Sequence, residues 1–336
     1  MSVDTALLLE WVIKALVLSL VLLTGFAYTT YLERKLIARF QVRIGPNQAG
    51  PYGLLQPLAD GLKLIFKEEF IPAQADKVLF VLAPIITVIP SLAVAAVIPW
   101  GEKVTLFGRE VTLYLADVNV GVLYLLAVAS LVVYGIALAG WASNSKYPLL
   151  GGLRASAQMI SYELALGLSF VGPVLLAGSM KLGDIVRAQQ QLWFAVLQPL
   201  GLIVYLIAAL AEVNRSPFDL PEAEQELTGG YHTEYSGMKF ASFYMAEYVK
   251  MIVVSAIAAT LFFGGYGGPG VVRFPWLGPI YLAVKIFFLL AGMVWVRSTL
   301  PRLRYDRLMA LGWKVLFPLA LLNVLLTATG IVVFGG

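Results

Sequence analysis

At 336 residues, 60% of them hydrophobic and only 13% charged, with a mean hydropathy of +0.82, the chain departs from the balance of a soluble globular domain and is read as an integral membrane protein. Zero cysteines and a single histidine, His232, leave no thiolate for an iron–sulfur cluster and no ordinary His or Cys axial ligand for haem, so any electrons it handles come from a partner. A net charge of +4 is assigned to membrane orientation and not to nucleic acid.

Eight apolar stretches reach spanning length: Leu7–Tyr31, Val78–Trp100, Val118–Trp141, Ala155–Ala177, Leu192–Val213, Phe240–Phe263, Leu277–Val296 and Met309–Phe334. No cleavable signal is expected, because the first run is long enough to span and no small-residue cleavage site follows its basic end. The odd-numbered loops hold fifteen basic residues, among them Arg34, Arg43, Lys63, Arg215 and Arg297, against five in the others. By the positive-inside rule the odd loops are cytoplasmic and both termini face outward. No repeat or linker interrupts the chain, so one polytopic membrane domain over residues 1–336 is expected, an all-α bundle of eight transmembrane helices.

The first cytoplasmic loop, from Glu33 to Lys77, opens on a Gly-Pro turn, RIGPN (Arg43 to Asn47), that stops the first helix. In PYGLLQPLADGLKLIFKEEF the residues Leu54, Leu55, Leu58, Leu62, Ile65 and Phe66 share one helix face, with Asp60, Lys63 and Lys67 on another. This predicts an amphipathic surface helix. Asp60 in the middle of the polar face argues against a simple anchor on anionic lipid, which would favour lysine there. Glu33, Arg34, Arg43, Asp60 and Lys63 together offer mixed charges beside oil, a lining suited to a polar headgroup on a lipid tail.

Three later spans carry carboxylates: Glu163 in the fourth, Glu212 at the inner end of the fifth and Glu247 in the sixth. A charged group at a helix centre costs about 2.5–3.5 kcal/mol on insertion scales, so such groups face the bundle interior and serve ion or proton movement. Local pairing offers an alternative for Glu247, with Lys250 three residues on, and is accepted for Glu10 with Lys14 near the outer end of the first span. Glu163 has no local base. Between the fifth and sixth spans lies AEVNRSPFDLPEAEQELTGGYHTEYSGMK (Ala211 to Lys239), where Pro217 and Pro221 fix the backbone and Glu222, Glu224 and Glu226 alternate. With the intramembrane acids these form the chain of polar sites that a proton relay needs.

Three other features are assigned plain roles. TLPRLRYDRLM (Thr299 to Met309) is taken as a basic topology determinant, and GGYGGPG (Gly264 to Gly270), which follows a span and not a strand, as an outer loop. His232 is taken as a hydrogen-bonded loop residue, since one histidine makes no metal site.

The strings YLERK, RIGPN, LLQPLADGLKLIFKE, KYPLLGGLRASAQMISYE, AEVNRSPFDLPEAEQELTGGYHTEYSGMKF and TLPRLRYDRLM together resemble the family of quinone-chamber membrane subunits, the H subunits, of the proton-pumping NADH-quinone oxidoreductase, respiratory complex I. Thr228 and Arg307 are the small departures, where the family favours valine and glutamine. The resemblance implies one component of a bacterial inner-membrane complex, carrying no cofactor itself, that forms much of the quinone chamber. Glu33, Arg34, Arg43, Asp60 and Lys63 would line or lead into that chamber. Glu163, Glu212, Glu222, Glu224, Glu226 and Glu247 would form an acidic funnel from it toward antiporter-like pumping subunits. Electrons would come from NADH through FMN and iron–sulfur clusters of soluble partner subunits, with small membrane subunits as further neighbours. The alternatives are the anchor subunit of a related membrane-bound hydrogenase, against which the RIGPN loop and the Asp60 helix argue, and a stand-alone ion transporter.

Overall fold

The structure, a computed structural model, describes residues 5–106, 109–220 and 228–334. In chain order the helices are α1 (Thr5–Phe40), α2 (Gln56–Phe66), α3 (Lys77–Ala93), α4 (Gly121–Ala142), α5 (Lys146–Ala177), α6 (Leu182–Ala188), α7 (Phe194–Leu197), α8 (Pro199–Glu212), α9 (Gly237–Phe262), α10 (Leu277–Thr299), α11 (Tyr305–Leu311) and α12 (Phe317–Phe334). Seven helices are long and apolar enough to cross a membrane: α1, α3, α4, α5, α9, α10 and the continuous pair α11–α12. The chain is therefore an α-helical membrane protein.

The predicted stretch Leu192–Val213 folds differently from the other seven. The residue before a proline is pushed out of the helical region, and Gln198, ahead of Pro199, takes φ −131° and ψ 59°. The break leaves a single turn, α7, and the 14 residues of α8. At 1.5 Å per residue α8 is about 21 Å long. The loop after α3 also holds a small antiparallel hairpin, β1 (Lys103–Leu106) and β2 (Arg109–Thr112), pairing Lys103 with Thr112 and Leu106 with Arg109. Lys14 ties α1 to it, bonding Thr112 Oγ1 at 2.8 Å and Glu10 at 2.6 Å. The local pair expected for Glu10 is thus formed.

Helix α9 runs through the middle of the bundle: 89% of its most apolar stretch is buried, against 6% for α1. A helix apolar all round has no solvent face to spare and belongs inside, so its charged residues Glu247 and Lys250 can meet only protein. Small residues let α3, α4 and α5 pack closely. A Cβ on Gly135 of α4 would lie 2.2 Å from Thr87 Oγ1 of α3, and one on Gly140 would lie 2.5 Å from the Pro148 carbonyl of α5. Asp76 caps α3 by accepting from the N–H groups of Val78 (3.0 Å) and Leu79 (3.2 Å). Between α11 and α12 a single π turn (Gly312–Leu316) widens the helix where Gly312 passes the Tyr162 ring, whose hydroxyl donates to the Leu308 carbonyl at 2.9 Å.

Candidate functional site: a cavity backed by buried ion pairs

A cavity of about 810 Å³ opens between α1, α2, the segment around Asp219 and His232, the start of α9 and the end of α10. Helix α1 outruns its apolar stretch and continues to Phe40, so that Arg34 reaches over α2 and pairs with Asp60 at 2.7 Å. Gln56, one turn before Asp60 on α2, donates to its other oxygen at 3.0 Å, which fixes the carboxylate's orientation. Lys63, also on the polar face of α2, lines the same cavity. Phe26 of α1 and Met238, Phe240 and Tyr244 of α9 line it as well. Charged and aromatic side chains therefore share one lining, which suits a ligand with a polar head and an apolar body. Of the five residues predicted for this site, Arg34, Asp60 and Lys63 line the cavity. Arg43 is instead exposed in the turn after α1, bonding Gln41 at 2.7 Å, and Glu33 faces inward, away from the opening.

Glu33 enters a cluster of charges behind the cavity. It is 4% exposed, accepts from the Tyr248 hydroxyl at 2.7 Å, pairs with Arg297, and lies 3.5 Å from Arg215. Arg297 also lines the cavity, so it joins the two regions. Arg215 continues inward to Glu247 at 2.5 Å while its guanidinium lies over the Tyr248 ring, 4.4 Å from the centroid. The local pairing considered for Glu247 is therefore not the one formed. Lys250 instead turns to Glu212 on α8, at 2.7 Å. A small void of about 20 Å³, large enough for one water, is lined by Glu212, Asn214, Glu247 and Lys250. Glu163, half-buried on α5, lies within electrostatic reach of Glu212 and Lys250.

The end of α8 explains how one short segment serves both pairs. Asn214 takes a left-handed conformation (φ 56°), a usual way for a helix to stop. The turn sends Glu212 toward Lys250 and Arg215 toward Glu33 and Glu247. Gln158 on α5 holds it, donating to the carbonyls of Ala211 and Phe218, each at 2.8 Å, and to Asn214 Oδ1 at 3.1 Å.

The predicted residues Glu222, Glu224 and Glu226 lie outside the described residues. Arg215, Arg297, Tyr248 and Gln158 belong to the site without having been expected there from sequence. Composition marks the two arginines only as orientation charges, yet Arg215 follows Glu212 by three residues, a spacing that could have singled it out. His232 lies edge-on to Tyr231 and Phe240, with centroids 5.0 and 5.3 Å away, and burial pushes its imidazole down to about 4, so it is neutral at ordinary pH. Among the described residues no group of three His, Cys, Asp or Glu side chains could hold a metal ion.

Residues 13–328 match the NADH dehydrogenase family. The chain is 55% identical over 314 residues to an H subunit of NADH-quinone oxidoreductase from Geobacter metallireducens, covering 94% of each chain. It is 54% identical over 317 residues to the H subunit of Thermomicrobium roseum, covering 91% of this chain and 92% of that one. Against the H subunit of Protochlamydia amoebophila the identity is 54% over 305 residues, with 91% and 92% covered. By identity of this order over nearly its whole length, the chain belongs to the family of H subunits of NADH-quinone oxidoreductase.

Proposed function

We propose that this chain is the membrane subunit of an NADH-quinone oxidoreductase that takes the quinone head into the cavity beside Arg34, Asp60 and Lys63 and converts its reduction into proton movement through the buried carboxylates. The names of its relatives support the complex and the substrate. The observation that carries the coupling role is the order of charges from the cavity through Arg297, Glu33 and Arg215 to Glu247, with the Glu212–Lys250 pair lining the same small void as Glu247. Reducing a quinone to a quinol adds two electrons and two protons, so charge in the cavity changes at each step. Arg297, shared between cavity and cluster, responds by altering its hold on Glu33. In a poorly solvated interior that change is felt by Arg215 and, beyond it, by Glu247 and Glu212. In this reading Glu163, Glu222, Glu224 and Glu226 belong to the same acidic route, and Arg43 serves entry to the chamber from the turn after α1.

The electron donors in this reading are FMN and iron–sulfur clusters of soluble partner subunits, and small and antiporter-like membrane subunits flank the chain. In a bacterial cell membrane α8 and the turn α7 complete an eighth crossing, the odd loops are cytoplasmic and both termini lie outside. The exposed Leu58, Leu62 and Phe66 of α2 rest at the membrane surface. The test is Asp60→Asn and Glu212→Gln in the assembled complex. Asp60→Asn is expected to raise the quinone KM, and Glu212→Gln to lower protons pumped per quinone reduced. Unchanged turnover and unchanged pumping in both would remove the assignment.

A further inference from the structure

We propose that Glu69 is a positioning residue that sets the width of the cavity by clasping the chain leaving α2 to the first turn of α9, an inference that rests on reading the cavity as the quinone site. The two walls come from remote parts of the sequence. At its leading end α2 is fastened to α1, through Arg34–Asp60 and through the Tyr31 hydroxyl, which donates to the Tyr52 carbonyl at 2.7 Å. At its trailing end the chain meets α9. Glu69 Oε2 accepts from Lys239 Nζ at 2.7 Å and Oε1 from the Met238 N–H at 2.9 Å. The Ser236 hydroxyl donates to the neighbouring Glu68 carbonyl at 3.1 Å.

Three independent features point to a built contact. The first N–H groups of a helix have no intrahelical acceptor, and the helix dipole favours an anion there. Glu69 supplies both charge and acceptor to α9. Gly237, at φ +57°, presses against it so closely that a Cβ would stand 2.6 Å from Glu69 Cγ and 3.2 Å from the Lys67 carbonyl. Finally, Lys239, 19% exposed, closes on Glu69, 35% exposed, at 2.7 Å. Its ammonium accordingly holds the Glu69 carboxyl below the ordinary value. One residue beyond the clasp α9 presents Phe240 to the cavity, and six residues before Glu69, in its last turn, α2 presents Lys63. Releasing Glu69 therefore moves the α9 side of the lining, with Phe240, relative to the α2 side, with Lys63.

The experiment uses the assembled complex with a short-chain quinone as substrate. Glu69→Ala is expected to raise quinone KM about tenfold while kcat stays within about twofold, the pattern of lost binding interactions. Glu69→Gln, which keeps an acceptor for Met238 but not the ion pair, should fall between. Lys239→Met gives a second route should Glu69→Ala fail to assemble. A readout independent of quinone comes from spin labels at Leu62 and Ser242 in this otherwise cysteine-free chain. Their distance distribution is expected to lengthen and broaden in Glu69→Ala. An unchanged distribution overturns the proposal, whatever happens to KM. A widened distribution with unchanged KM also overturns it. Asp60→Asn separates the two readings: if it too leaves KM untouched, the quinone site itself is misplaced, whereas a raised KM there with none in Glu69→Ala condemns the clasp alone.

Discussion

Arg215 faces two carboxylates and an aromatic ring from a site 5% exposed. Its planar guanidinium can lie flat on Tyr248 and still keep its nitrogens within ion-pair reach of Glu33 and Glu247, which a lysine ammonium cannot match. Removing one partner from a buried pair leaves an uncompensated charge and costs roughly 3–5 kcal/mol. Arg215→Leu is therefore expected to lower the thermal midpoint of the complex or prevent assembly, and Arg215→Lys to recover only part of the loss. Near the start of α1 Glu10→Gln should cost under about 0.5 kcal/mol, because that i,i+4 pair is partly exposed. His232 adds a pH dependence of definite sign. Its folded value, about 4, is below the ordinary 6.5, so the unfolded chain takes up the proton first as pH falls. The stability it contributes is complete above pH 6.5 and declines toward pH 4. Asp219, Asp60, Lys63, Arg297 and Arg302 line the same cavity and are common to wild type and variant. The check is consequently the difference between wild type and His232→Gln: their thermal midpoints should diverge less at pH 5 than at pH 7.5.

Among the elements, α8 and its terminal turn are the least legible in sequence. A helix such as α4 announces itself by an apolar run without a single charge. The run before Glu212 looks equally continuous, and only the conformational demand of Pro199 on Gln198 divides it. Boundaries suffer for a related reason: hydropathy marks where oil ends, whereas the α1 backbone continues to Phe40, carrying Glu33 and Arg34 to their partners. The acids themselves are easy to pick out, since an ionisable group in an apolar run is costly and conspicuous. Their partners are not, because Arg297 meets Glu33 across 264 residues of sequence. The turn after α8 yields a prediction of its own. Asn214 sits at φ 56°, where glycine and asparagine are tolerated and β-branched residues are strained. Asn214→Gly should leave assembly intact, whereas Asn214→Val should cost about 1–3 kcal/mol. By tilting Glu212 and Arg215 together, Asn214→Val should reduce pumping stoichiometry as well as stability.

For the molecule as a whole the question is whether one chain suffices to move protons. Beyond the large cavity, the voids along the buried carboxylates hold about 20 and 30 Å³, room for a single water each. The charges between them are engaged in the pairs Arg215–Glu247 and Lys250–Glu212. An ion crossing unaided would have to break those pairs in a low-dielectric interior with nothing to replace them. The chain also leaves α1 largely bare, with Leu9, Leu16 and Leu20 each more than 60% exposed, a surface that lipid or neighbouring subunits can cover. Both observations favour a component that works inside a complex over a free-standing transporter. Extraction in mild detergent through a tag on this chain should bring down flavin and iron–sulfur absorbance, although the chain has no cysteine to hold a cluster. The isolated chain in liposomes should pass no protons under an imposed potential. Proton flux through the lone chain, abolished by Glu212→Gln, would mean that the ion pairs open without quinone chemistry to drive them and that the transporter reading is the correct one.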